Sequence, residues 1–224
     1  MEVVALAAAT CFALCIPDSG ARAEPPEPHL VPRIFLEPRE RGVLPPGTAI
    51  RKVIDKGIQL TASMEGFRGR LYDDPAGFCT IGFGHLVKLA RCDGREPARF
   101  LRGLSRAEAT NLLRNDMELA EIAVMTLTEV HLTDGQYASL CDFVFNVGRG
   151  RFASSTLRKY VNAGQYGNVP AQFRRYVLAN GRKLQGLVGR REKEIDLFFE
   201  DMVIPRGVPD PNEDLTPIDI ARFD

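Results

Sequence analysis

Two carboxylates and a hydroxyl stand at a spacing that could do chemistry in residues 64–85, MEGFRGRLYDDPAGFCTIGFGH. Glu65 closes an apolar periodic stretch, Asp74 follows nine residues later ahead of Pro75, and Thr80 comes six residues after that. A helix end facing a strand end would place the two carboxylates on opposite walls of a cleft. Hydrolysis of a glycosidic bond requires such a pair: one carboxyl holds a proton for the leaving oxygen, and the other, ionised, activates water or stabilises the oxocarbenium-like state. Taken one by one, the same residues have plainer uses, Glu65 as a solvated helix end and Asp74 as a turn former before proline. To hold its proton Glu65 needs an apolar wall or a nearby negative charge, and Phe67, Phe78 and Phe83 lie close in sequence. Asp73, on the preceding strand, is expected to point to the other face, because neighbouring strand side chains alternate, and to be solvated.

The elements that must position these groups are readable from periodicity. Ile50, Val53, Ile54, Leu60 and Met64 recur at helical spacing up to Glu65-Gly66. Residues 72–85 combine turn formers, β-branched Thr80-Ile81 and three glycines, which reads as a small hairpin region. Ser105 with Glu108 forms a capping box that opens one long helix through Leu112, Leu113, Met117, Ile122 and Met125. Thr133 with Gln136 repeats the device ahead of Tyr137, Leu140, Cys141, Val144 and Phe145, and Ser154-Ser155 opens a helix that stops near Gly164. Further helices are expected around 171–178 and 188–199. One early helix, a small β piece and a helical bundle make an α+β domain.

The ungapped Glu65-Gly66, Asp74 and Thr80-Ile81-Gly82-Phe83-Gly84-His85 resemble the signature of the phage-type, T4-like lysozymes of glycoside hydrolase family 24. Phe145-Asn146-Val147-Gly148, residues 152–157 (FASSTL), and Gly186-Leu187-Val188 with Arg190, Arg191 and Glu194 are similar to that family's C-terminal lobe. The resemblance covers roughly residues 50 to 200. It implies a lysozyme-like fold, a small β-hairpin lobe with a catalytic helix and a larger helical lobe. It also implies a muramidase that cleaves the β-1,4 bond between N-acetylmuramic acid and N-acetylglucosamine in peptidoglycan, with inversion. On that resemblance Glu65 would be the general acid, Asp74 the ionised partner, and Thr80 a second holder of the attacking water. His85 would be structural, hydrogen-bonded near the cleft floor, and Arg190 and Arg191 would support the carboxylates of the catalytic helix. Two other readings stay open: a peptidoglycan-binding module that has lost catalysis, and a lytic transglycosylase, which needs the acid but no water-activating aspartate.

Composition sets the frame around this unit. Apolar residues at 45% and charged ones at 26% fit a soluble globular protein. Net charge is zero, but residues 48–200 carry 23 basic and 17 acidic side chains, and between Asp142 and Arg191 ten basic residues meet one acid, Asp142 itself. That imbalance suits either an anionic partner or a solvated arginine-rich face. Val3 to Ile16 is apolar, and Ala21-Arg22-Ala23 offers a cleavage site, so residues 1–23 read as a signal peptide, although no basic residue precedes the apolar run. Residues 24–47 hold seven prolines and read as a linker, 48–200 as the catalytic domain, and 201–224, with six acids and two arginines, as a solubilising tail. Cys79 and Cys92 are expected to pair in an oxidising compartment, and Cys141 to be a buried small hydrophobe. No cofactor, metal or nucleic acid is expected. The expected partner is the peptidoglycan glycan strand, met by an exported monomer, periplasmic or extracellular, with no stable membrane span.

Overall fold

The computed structural model describes residues 44–203 and 212–221. The expected signal segment and residues 24–43 of the expected linker lie outside them. The chain runs α1 (Asp55–Glu65), β1 (Arg68–Asp73), β2 (Cys79–Gly82), β3 (His85–Lys88), α2 (Ala98–Leu101), α3 (Arg106–Asp116), α4 (Glu118–Leu127), α5 (Asp134–Val147), α6 (Arg149–Ser154), α7 (Thr156–Asn162), a 3-10 turn (Tyr166–Asn168), α8 (Val169–Phe173), β4 (Leu178–Ala179), β5 (Arg182–Lys183) and α9 (Gln185–Phe198). No described helix is long and apolar enough to cross a membrane.

The lobe before α3 is a three-stranded antiparallel sheet in the order β1-β2-β3, so the expected hairpin gains a third strand. The other lobe is built on α5. A capping box between Thr133 and Gln136 starts this helix, and of its 14 residues only Asp134 and Phe145 escape burial. Helices α1, α4 and α9 pack around it, and Cys141 sits wholly inside this core. The Phe143 ring meets Phe173 and Tyr176 edge-on, with centroids 5.3 and 4.7 Å away. Such contacts add to the area that these rings bury.

Three expectations change. The long helix from Ser105 divides at Met117, whose backbone stays in the helical region and whose side chain is fully buried. The division lets α3 pack on β2 while α4 packs on α5. The helix expected over 171–178 ends at Phe173, and residues 178–183 form a two-stranded hairpin instead. Its turn is Asn180-Gly181 with φ of 52° and 75°. A two-residue hairpin turn of this hand needs positive φ at both central positions, which Asn and Gly supply at least cost.

The acidic C-terminal segment does more than solubilise. Asp214 pairs with Arg175 at 2.9 Å and Glu213 accepts from Gln172. Asp219 bridges to Leu178 in parallel register, and its carboxylate accepts the N–H groups of Asn180 and Gly181. Ile220 is completely buried in the core. Ile218 and Ile220 flank Asp219 at this single bridge, where the isoleucines pack on the core and the carboxylate reaches the turn. Ile220→Ala should lower stability by about 2–5 kcal/mol, the usual cost of emptying a buried aliphatic site. Urea unfolding checks this, and an unchanged midpoint would mean that the segment is not docked in solution.

Candidate active site

Glu65 is carried by a stripe of α1 in which Gly57, Thr61 and Glu65 recur every four residues and so share one face. Gly57 lets α1 lie close on α5, since a Cβ there would stand 2.7 Å from that of Ala138. Thr61 is buried at the contact, and Glu65 ends the helix. Gly66 follows with φ 70° and ψ 155°, a region essentially reserved for glycine, and turns the chain at once into β1. The Glu65 side chain keeps 7% of its surface exposed, and its Oε1 accepts from Arg190 Nη1 at 2.7 Å. Arg190 Nε and Nη2 meanwhile donate to the two carboxylate oxygens of Asp142, both at 2.9 Å. The Thr61 hydroxyl lies 2.7 Å from Asp142 Oδ1. One buried guanidinium thus joins α1, α5 and α9.

Asp74 follows β1 directly, in the turn to β2. Its N–H donates to the Phe78 carbonyl, its carbonyl accepts from Gly77, and its Oδ1 accepts the Phe78 N–H at 2.9 Å. The carboxylate therefore holds its own turn and keeps Oδ2 for other work. Thr80 sits on β2 opposite Tyr72, almost fully buried, and its hydroxyl donates to the Phe78 carbonyl at 3.2 Å. With its proton so used, that oxygen can only accept from a further partner. Asp73 is exposed but not merely solvated, because its Oδ1 accepts the Cys92 N–H at 2.8 Å. Cys92 is joined to Cys79 of β2 by a disulfide. Glu96 lies beside this bridge, and the Lys88 ammonium with the Asp93 N–H holds its carboxyl down at about 2. Cys79, Cys92 and Glu96 bring three potential metal ligands within 4.8 Å of one another, but bridged sulfurs are not thiolates and do not bind metal as such.

His85, at the start of β3, reaches Asp116 at the end of α3, with Nδ1 at 2.9 and 3.0 Å from the two carboxylate oxygens. Its ring packs on Phe100. It fastens the sheet to the helices. Of the two arginines, Arg190 alone meets Glu65. Arg191 turns away to Asn146 at 2.7 Å and Glu194 at 2.9 Å, under the Phe143 ring. Burial opposes the Asp142 charge, but Arg190 and Thr61 outweigh it and hold that carboxyl below its ordinary range. Burial, reinforced by Asp142, pushes the Glu194 carboxyl well up despite Arg191. Thr61 had no place in the sequence reading, and Asp142, Asn146 and Glu194 were named there without a role at the site; an acid amid Leu140, Cys141, Phe143 and Val144 was the available signal. A separate groove of about 430 Å³ between α1 and α9, lined by Lys56, Leu60, Lys193 and Leu197, contains none of the residues singled out for chemistry.

Comparison with known proteins fits this arrangement. A match to the phage lysozyme family spans residues 62–194, more than half of the chain. The chain belongs to the phage lysozyme family. It is 34% identical over 150 residues to the endolysin of Acyrthosiphon pisum secondary endosymbiont phage 1, covering 65% of this chain and 97% of that one. It is 37% identical over 127 residues to the SAR-endolysin of Escherichia phage Mu, covering 57% and 69%. The crystal structure of the P22 lysozyme mutant L86M superposes with a TM-score of 0.57 at 30% identity, covering 66% and 98%. This phage lysozyme relative is a glycoside hydrolase of the lysozyme type, a peptidoglycan hydrolase.

Asp73→Asn keeps an oxygen for the Cys92 N–H and should retain most activity on purified sacculi. Asp73→Ala should cost about 1 kcal/mol of stability, the net worth of one such hydrogen bond, read from the thermal midpoint. Cys79 and Cys92 should resist alkylation until reductant is added, and labelling of either in the unreduced protein would count against the bridge.

Proposed function

We propose that this lysozyme relative is an inverting N-acetylmuramidase that cleaves the β-1,4 bond between N-acetylmuramic acid and N-acetylglucosamine. The observation that carries the reading is the pair of differently held carboxylates: Glu65 buried at the helix end on Arg190, and Asp74 in a tight turn with one oxygen committed and one spare. Glu65 gives its proton to the glycosidic oxygen as the bond breaks. Asp74 takes a proton from water on the opposite face of the sugar, and Thr80 accepts the other hydrogen of that water. Inversion suits this division, because water must stand between sugar and carboxylate. No cofactor or metal takes part.

We place the enzyme outside the cytoplasmic membrane. The apolar segment from Val3 to Ile16, the Ala21-Arg22-Ala23 site and the Cys79–Cys92 bridge support this, as disulfides persist in oxidising compartments. Residues 48–200 form the catalytic unit, with 212–221 as a strap on its helical lobe. An N-terminus at Glu24 in the mature protein is expected; an intact Met1 in a membrane fraction would favour an anchor instead.

Glu65→Gln and Asp74→Asn should each reduce the release of reducing ends from sacculi by about 10²–10⁴-fold, the usual worth of a general acid or base, with thermal midpoints retained. Full activity in Glu65→Gln would sink the assignment. Mass spectrometry of the muropeptides separates the remaining readings. Products ending in a 1,6-anhydro sugar would make the protein a transglycosylase, and binding without turnover would make it a binding module.

A further inference from the structure

We propose that Asp142 is a positioning residue for the reaction, holding two of the three guanidinium nitrogens of Arg190 so that Arg190 supports Glu65 through a single contact and leaves it able to carry the leaving-group proton. The inference rests on Glu65 being the general acid. Its basis is how the fork is divided. Nε and Nη2 make the parallel, two-toothed pair with Asp142, while only Nη1 meets Glu65. Two-toothed pairing is the stronger and more directional mode, so Asp142 decides where the guanidinium plane lies. Asp142 and Arg190 are both buried, so water cannot replace either charge.

Charge balance gives the same result. The groups that meet Arg190 are Glu65 from α1, Asp142 from α5 and Glu194 from α9, with Thr61 on Asp142 and Arg191 on Glu194 completing the cluster. An arginine keeps its proton in proteins, so the cluster holds two fixed positive charges. Glu194 is 3.7 Å from Arg190 Nε but 2.9 Å from Arg191, and its carboxyl is pushed well up by burial. Asp142 is therefore the acid that offsets Arg190 whenever Glu65 is protonated. Without its charge, Arg190 would be free to turn both edges to Glu65 and hold it as an anion. The protonated enzyme needed for catalysis would then be confined to lower pH.

The test is the pH–rate profile on purified sacculi for the wild type, Asp142→Asn, Arg190→Gln and the Asp142→Asn/Arg190→Gln pair, with Glu65→Gln in parallel. In Asp142→Asn the high-pH limb should move to lower pH by about one unit, as expected for an unopposed neighbouring charge, with KM little changed and activity recovering as pH falls. A limb that stays in place in a folded Asp142→Asn protein overturns the proposal, because a merely structural role would lower activity equally at every pH. Should Asp142→Asn fail to fold, the pair is compared with Arg190→Gln: because Asp142 acts through Arg190, the two limbs should coincide, and a lower limb in the pair, the mark of a direct effect of the Asp142 charge, overturns the proposal. Activity in Glu65→Gln would instead remove the general-acid reading. Loss of activity there with an unmoved Asp142→Asn limb removes only the role of Asp142.

Discussion

The rest of the molecule depends on one buried charge, the Arg190 guanidinium. It cannot shed its proton, and bringing an unpaired charge out of water costs several kcal/mol even after relaxation. The helices around it must therefore supply acids at fixed places. Helix α5 supplies Asp142 from the middle of an otherwise apolar run, and α1 supplies Glu65 from its last residue. Each helix is held at the depth and rotation that satisfies the fork. The Gly57–Ala138 approach sets how closely α1 can come. The buried ion pairs and the helix packing share these residues, so the helical lobe and α1 are positioned together.

The sheet and the turn that bears Asp74 are fastened by other means. The small sheet has little core of its own, and it is tied to its surroundings by discrete links: His85 to Asp116, the Cys79–Cys92 bridge, and Asp73 to the Cys92 N–H. Asp73 and Cys79, the residues on either side of the turn that bears Asp74, are both tied to Cys92. A disulfide around so short a loop contributes about 3 kcal/mol at most, and its larger effect is to keep that turn from rearranging. The helix end at Glu65 is thus set by buried electrostatics and the turn at Asp74 by local cross-links.

What could be read in the sequence follows from distance along the chain. Glu65, Asp74 and Thr80 fall within 16 residues, so their spacing already contained the turn, the strand pair and the orientation of the helix end. The capping boxes at Ser105 and Thr133 were legible for the same reason. The Arg190–Asp142 pair joins residues 48 apart, and its one local trace, an acid in an apolar run, did not name the partner. Arg190 and Arg191 lie about 100° apart around the helix, and which one faces Glu65 depends on how α9 is rotated on α5, a tertiary fact. The Asn180-Gly181 turn was written plainly, but its strands are too short to show period-two alternation. In the C-terminal segment, proline and acid content concealed the docking of Ile218 and Ile220.

The docking of residues 212–221 bears on the order in which the protein is made. Ile220 fills a core whose other buried members all precede it in the chain, from Val53 to Phe199. A chain emerging from a ribosome or a translocation channel can build the sheet and seat α1 on α5, but the β4–β5 turn stays unclasped until residue 220 is free. Closure of the helical lobe thus waits on residues 212–221 and not on the helices and strands that precede them.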